Sequence, residues 1–252
     1  MNRSDVMKLG MAILLAGVLA GCAHKKPPPP AQPSAATAQA LANAAQCIGQ
    51  AQQSGVSVAT AQQLLDRAQE AAKVPDNEQA QSLASQVCQQ TNAAINQHYL
   101  DQARALDSQA RRHTNLTAAE QSQLEQGETA IANSQGKRAY DILGALVAQL
   151  KAAQTTYTVV RGDNLWNIAK KPSIYNNPYE WPLIYQQNAD KIKNPDRIYP
   201  SQQFNIRLNP LQDEVNNASN YAKTRGPWKN GQALSRDHAW LDAQQSKANG
   251  GG

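Results

Sequence analysis

The sequence predicts a mainly α protein: an N-terminal antiparallel bundle of about five helices, a small βααβ module and a helical C-terminal tail. Three observations predict it. Apolar residues recur at helical spacing from residue 35 to 155, in a stretch rich in Ala and Gln. Aromatic residues are only 5 % of the chain and sit mostly after Tyr157, so two architectures share one chain. Between Tyr157 and Leu208 the pattern changes to strand, helix, helix, strand. A length of 252 residues allows one or two modest domains with tails. The segments are 1–21, 22–34, 35–155, 156–208 and 209–252.

Residues 1–21 read as an export signal. Arg3 and Lys8 make a short basic start. Leu9 to Gly21 is apolar and small, and shorter than the roughly 20 residues of a membrane span. It ends Leu19-Ala20-Gly21-Cys22, which resembles a bacterial lipobox. The resemblance implies cleavage before Cys22 and acylation there, palmitate included; two or more chains make a stable anchor. Ala23, not Asp, follows the modified cysteine. In enterobacterial-type sorting that resembles the address of an outer-membrane lipoprotein facing the periplasm. Lys25-Lys26-Pro27-Pro28-Pro29-Pro30 and Pro33 then favour polyproline II, a tether of about 3.1 Å per residue.

Five helices follow. Leu41, Ala44, Ala45 and Ile48 form one face, and Ala61, Leu64, Leu65, Ala68 and Ala72 the next. The apolar pattern from Ala80 to Ala110, between breaks at Asp76 and His113, predicts a third helix of nearly forty residues, about 55 Å at 1.5 Å per residue. Leu124, Gly127 and Ile131 mark a fourth; Ala139, Ile142, Leu143, Leu146 and Leu150 mark a fifth. Breaks fall at Ser54-Gly55, Val74-Pro75-Asp76, His113-Thr114-Asn115 and Gln135-Gly136, and Thr117 with Glu120 reads as a capping box. The many inner Ala residues imply close helices and a thin core, in a bundle or a stack of helical hairpins. With Cys22 lipidated, Cys47 and Cys88 are left as an even pair in an oxidising compartment. They read as a disulfide or as two buried thiols; the disulfide is preferred, because a thin core gains from a staple.

In the module, Tyr157 to Val160 is β-branched and aromatic, suited to a strand. Gly162 permits a sharp exit, and Asp163 or Asn164 caps the next helix. Leu165, Ile168 and Ala169 share one helical face, which Pro172 ends. A second helix starts near Asn177-Pro178, with Pro182 in its first turn and Trp181, Ile184, Tyr185 and Asn188 on one side. Phe204, Ile206 and Leu208 alternate with polar residues as a strand with one wet face. Beyond it, Asn209-Pro210 opens a tail helix with Leu211, Val215, Ala218 and Ala222 on one stripe. Gly226-Pro227 ends it, and Ser235 to Gln245 reads as one more short helix. Trp228 and Trp240 are expected to dock on the bundle.

The order Tyr-Thr-Val, Gly-Asp-Asn-Leu-Trp-Asn-Ile-Ala, then Asn-Pro-Asp-Arg-Ile-Tyr-Pro before the last strand resembles a LysM domain. That family binds the N-acetylglucosamine backbone of peptidoglycan and chitin. The resemblance covers about a fifth of the chain. Asn164 stands where the family often has Thr or Ser, and Ser201 where it usually has Gly. If that turn is left-handed, Ser costs roughly 1–2 kcal/mol. By matching position, the resemblance implies a sugar groove made of Gly162, Asp163, Asn164 and Leu165 with Asp190, Lys191, Ile192 and Asn194. Backbone amides and carbonyls suit an N-acetyl group, which has one donor and one acceptor. Leu165 and Ile192 are expected to contact the acetyl methyl. Trp166, at helical spacing, reads first as a core or half-buried residue.

Charge bounds the function classes. The chain carries +5 at a pI near 9.1, and seven basic against four acidic residues lie in the LysM-like stretch. That mild basic face is drawn to peptidoglycan carboxylates. No basic stripe with interleaved aromatics points to nucleic acid. His24, His98, His113 and His238 share no ligand spacing, and no catalytic or zinc motif appears. The expectation is a lipid-anchored, peptidoglycan-binding envelope protein with no cofactor and no catalysis. Chitin is set aside by the lipobox and the tether. The alternative is a scaffold, with residues 35–155 holding an envelope enzyme and the module only locating it.

Overall fold

The computed structural model describes residues 32–73, 77–226 and 235–250. The expected export signal, Cys22, most of the expected proline tether, the break at Val74-Pro75-Asp76 and Trp228 lie outside them.

The architecture is mainly α. Ser34 caps α1 (Ala35–Gln53) through its side chain, which accepts from the Thr37 amide. Gly55, at φ +74°, makes the turn to α2 (Ala59–Ala71). The long helix α3 (Asn77–Ala110) has 34 residues and serves both halves of the bundle. Thr117 and Glu120 form the expected capping box of α4 (Ala118–Ala132). Helix α5 (Gly136–Ala152) starts at Gly136 itself; the turn lies just before it, with Ser134 at φ +54°.

Consecutive helices alternate in direction, so α1, α3 and α5 run the same way. Asn77 Oδ1 accepts from the Ser34 amide at 3.2 Å and from Thr37 Oγ1 at 3.0 Å, setting the starts of α1 and α3 side by side. The core divides along α3. Ala44, Ile48, Leu64, Leu65, Ala68, Leu83 and Val87 close the first half between α1, α2 and α3. Ala103, Ala110, Leu124, Ala139, Leu143, Leu146 and Leu150 close the second between α3, α4 and α5. A disulfide joins Cys47 on α1 to Cys88 on α3.

Helix α5 passes through Ala153 directly into β1 (Gln154–Thr158), which pairs antiparallel with β2 (Gln203–Arg207), Tyr157 facing Phe204. The strand starts three residues before the expected Tyr157. Val159 lies beyond it but keeps the ladder going, donating to Gln202 O at 2.9 Å. Between the strands lie α6 (Leu165–Ala169), a 3₁₀ turn over Pro178–Glu180 and α7 (Trp181–Gln187), with Pro182 in the first turn of α7 as expected. Phe204, Ile206, Ile168, Ile184 and Tyr185 form the module core.

The tail folds onto this module. Ala218 of α8 (Gln212–Thr224) is buried in the same core, with Val215, Tyr221 and Ala222 against it. Helix α9 (Ser235–Gly250) brings Trp240 onto Tyr221 in a stacked pair 4.9 Å apart. Trp240 was expected on the helical bundle; it packs on the module instead, because α8 offers it an aromatic face there. The bundle meets the module's far end separately. The turn after α3 takes Thr114 N–H to Pro210 O at 2.9 Å, and Gln212 N–H donates to Arg112 O at 2.7 Å. His113, expected as a helix-end residue, places Nδ1 2.8 Å from Asn209 O.

Candidate functional site

The first wall of the site is the loop from β1 to α6. Gly162 turns it at φ +91°, where no neighbour crowds a side chain, so only the backbone angle calls for glycine. Asp163 Oδ2 accepts from Tyr157 Oη at 2.8 Å and from the Val160 amide at 2.9 Å. Lys171 stands 4.0 Å away from the other oxygen. Asn164 Oδ1 caps α6 by accepting from the Asn167 amide at 2.8 Å. The side chains of Asp163 and Asn164 thus build the loop. Asp163→Ala orphans two donors and is expected to lose about 2 kcal/mol. Asp163→Asn, which keeps one acceptor, loses less. Urea unfolding checks this, and an Ala variant within 0.5 kcal/mol of the parent contradicts it.

The second wall lies between α7 and β2. Buried Asn188 fixes its base: Nδ2 donates to Ile184 O and Asn205 O, and Oδ1 accepts from the Asn205 amide at 2.8 Å. Asp190 and Lys191 are exposed, and Lys191 Nζ reaches Gln203 O at 3.2 Å. Asn194 Oδ1 accepts from the Asp196 amide at 2.9 Å, tightening the Asn194-Pro195-Asp196 turn. Ser201 has φ +72°, so the turn before β2 is left-handed and this serine bears that conformation's cost of roughly 1–2 kcal/mol.

A cavity of about 360 Å³ opens between these walls, within the range of small-ligand pockets. Asn164, Leu165 and Trp166 line one side, Pro195 and Asp196 the other, and Trp181 and Arg225 complete it. Of the eight groove residues expected from the sequence, Asn164 and Leu165 line this cavity. Gly162 and Asp163 shape the first wall behind them. Asp190, Lys191, Ile192 and Asn194 belong to the segment that leads into the second. Leu165 and Ile192 are each only 2 % exposed, so most of each side chain packs inward.

Sequence reasoning passed over Trp166, Trp181 and Arg225. Trp166 is 39 % exposed and meets Tyr179 edge-on at 4.8 Å. Its position two residues past the N-cap, off the Leu165/Ile168/Ala169 face, was the available signal. Arg225 had none, since it lies beyond the module in sequence. Its Nε and Nη2 grip both oxygens of Asp237 at 2.7 and 2.8 Å, Nη2 also bonds Asp196, and its guanidinium lies 5.5 Å from the Trp181 ring centre. The hydrogen bond with Asp237 raises the Arg225 pKa, so the guanidinium is charged at every relevant pH.

Two short strands enclosing two helices, with a cavity between the β1–α6 loop and the Asn194-Pro195-Asp196 turn, define a small LysM-type module beside a helical bundle. Residues 157–207 match the family model for the LysM domain. Over 58 residues the chain is 45 % identical to Treponemal membrane protein B of Treponema pallidum (strain Nichols). That match takes in 22 % of this chain and 17 % of that protein, so the similarity spans under a fifth of the relative's length. No solved structure shows a significant match. LysM domains are modules for binding peptidoglycan and related glycans, and that general capacity belongs to residues 157–207. Among the described residues no helix is long and apolar enough to cross a membrane, and no cluster of His, Cys, Asp and Glu is arranged to hold a metal ion.

Proposed function

We propose that this chain is a lipid-anchored envelope protein that holds peptidoglycan glycan strands, without catalysis, in the cavity between α6 and the Asn194-Pro195-Asp196 turn. The observation that carries the reading is that cavity: it lies between the two loops of a LysM module, and its lining mixes indole surface with polar edges. Such a lining suits a sugar, which offers an apolar ring face and a polar rim. Asn164, Asp196 and Arg225 supply polar groups, and Trp166 and Trp181 supply apolar area. The likeness to a membrane protein of another bacterium agrees with an envelope setting. Lipidation at Cys22 and an outer-membrane, periplasm-facing address rest on Leu19-Ala20-Gly21-Cys22 and Ala23. A single shallow site binds weakly, and an anchor raises the effective concentration at the wall.

In this reading the bundle is a stand-off, because α5 runs into β1 without a linker and the turn after α3 is bonded to residues 209–212. The second reading, a scaffold for an envelope enzyme, draws on an open cavity of about 520 Å³ between α2 and α3, edged by Asp66, Arg67, Glu70 and Leu83. Co-sedimentation of the chain from Ala23 onward with purified sacculi tests the first reading. The intact chain is expected to pellet with sacculi, release no soluble fragments, and stay in the supernatant once residues 157–208 are deleted. Pelleting that survives the deletion places the wall site elsewhere. An enzyme captured from envelope extract by residues 35–155 supports the scaffold.

A further inference from the structure

We propose that the glycan site extends beyond the LysM module: Arg225, at the end of α8, is a specificity-determining residue that donates to a neutral acceptor oxygen of the bound sugar. The proposal rests on the reading that the cavity holds glycan. Its substrate class is an N-acetylated, uncharged oligosaccharide, recognised through a carbonyl such as that of the acetamido group.

The geometry begins with what Arg225 spends and what it keeps. Its side chain is 8 % exposed, yet it lines the cavity with Asn164, Trp166 and Asp196. The hydrogen bonds to Asp237 and Asp196 use Nε and Nη2. Nη1 bonds none of the described residues, so a fixed, charged donor group is left over. The fork cannot turn away, because Asp237 is fully buried and itself accepts from Tyr221 Oη. Trp240 of α9 stacks on Tyr221, which also lies 6.2 Å from Trp181, so both tail helices hold the arrangement.

Charge then selects the acceptor. Two carboxylates, those of Asp196 and Asp237, already bond this one guanidinium, so its charge is matched. A third carboxylate gains little from a guanidinium already matched, while a neutral carbonyl accepts a charge-assisted hydrogen bond without bringing another charge to be desolvated. Asp196 belongs to the turn that forms the second wall, so Arg225 also ties that wall to α9. A module cut at residue 207 lacks this donor.

The test compares the soluble full chain with Arg225→Lys and Arg225→Gln. Binding of a tetramer of N-acetylglucosamine is measured by calorimetry, and folding by thermal unfolding. Arg225→Lys keeps the charge beside Asp196 and Asp237 but puts one nitrogen in place of three, so no donor is left over for the cavity. It is expected to fold and to bind about tenfold more weakly. Arg225→Gln is expected to bind at least as poorly. Should either variant fail to fold, the parent chain decides: its Arg225 guanidinium resonances are expected to shift on saturation with the tetramer. A folded Lys variant of parental affinity overturns the proposal, as do guanidinium resonances that stay fixed while Trp166 signals move. A parent chain that binds neither the tetramer nor sacculi instead overturns the glycan reading itself.

Discussion

Replacing both Cys47 and Cys88 with Ser is expected to lower the stability of the helical bundle by about 4 kcal/mol, for a sequence separation of 41 residues in the chain-entropy model. The bridge matters because the core it staples is thin. Around α1 and α2 that core includes Ala44, Ala61, Ala68 and Ala84, and its larger members are Ile48, Leu64, Leu65, Leu83 and Val87. Alanine buries little area, so each contact adds little at about 25 cal/mol per Å². The loss is expected to be local. Leu143, Leu146 and Leu150 close a second core around α4 and α5, which the disulfide does not touch. Urea unfolding of the oxidised parent and the double Ser variant gives the magnitude. Hydrogen exchange gives the place, with α1 and α2 losing protection before α4 and α5. A difference under 1 kcal/mol, or loosening that starts in α4, rules this account out.

The five helices were legible because their apolar faces repeat at 3.6 residues, and the capping box at Thr117 marks a start in four residues. The βααβ order was equally legible, since Gly162, Pro172 and Pro182 punctuate it. The Cys pairing followed from compartment and parity rather than from any contact. What sequence could not show is which surfaces meet across long separations. Ala218 reads as part of a tail stripe and Trp240 as an indole for the bundle, and Tyr221 was passed over, yet all three pack in or against the module core. Arg225 carried no signal in the sequence, since it lies beyond the module. Only the fold brings Asp196 and Asp237 to it and puts it on the cavity. Within the expected groove, Asn164 and Leu165 were found by position, whereas Trp166 was set aside because a helical tryptophan is more often core or half-buried. Its 39 % exposure shows which side of α6 it takes.

The joint between α3 and α5 yields the second large effect: Gly136→Ala is expected to lose about 3 kcal/mol. A Cβ at Gly136 would stand 2.3 Å from the Asn96 carbonyl oxygen, 2.8 Å from Asn96 Oδ1 and 3.1 Å from the Leu100 amide nitrogen. The first and last of these are backbone atoms in the middle of α3 and cannot swing aside. The start of α5 would have to withdraw by about 1 Å to restore van der Waals distance, where close packing leaves no slack. Withdrawal also stretches the bond from the Gly136 amide to Asn96 Oδ1, now 2.8 Å, and loosens fully buried Ala139 and Leu143. Gly127→Ala meets Leu143 Cδ2 at 2.4 Å and Cγ at 2.5 Å, but these are side-chain and not backbone atoms, so a smaller loss is expected. Gly49→Ala supplies the opposite sign. It lies inside α1 with nothing within 4 Å, so alanine's better helix propensity is expected to add about 0.5–1 kcal/mol. Thermal unfolding of the three variants ranks them Gly49→Ala, parent, Gly127→Ala, Gly136→Ala. If Gly136→Ala matches the parent, α5 does not approach α3 this closely. If all three gain stability, helix propensity and not the helix-to-helix distance governs these glycines. Because α5 continues into β1, the same joint also sets where the bundle meets the LysM module.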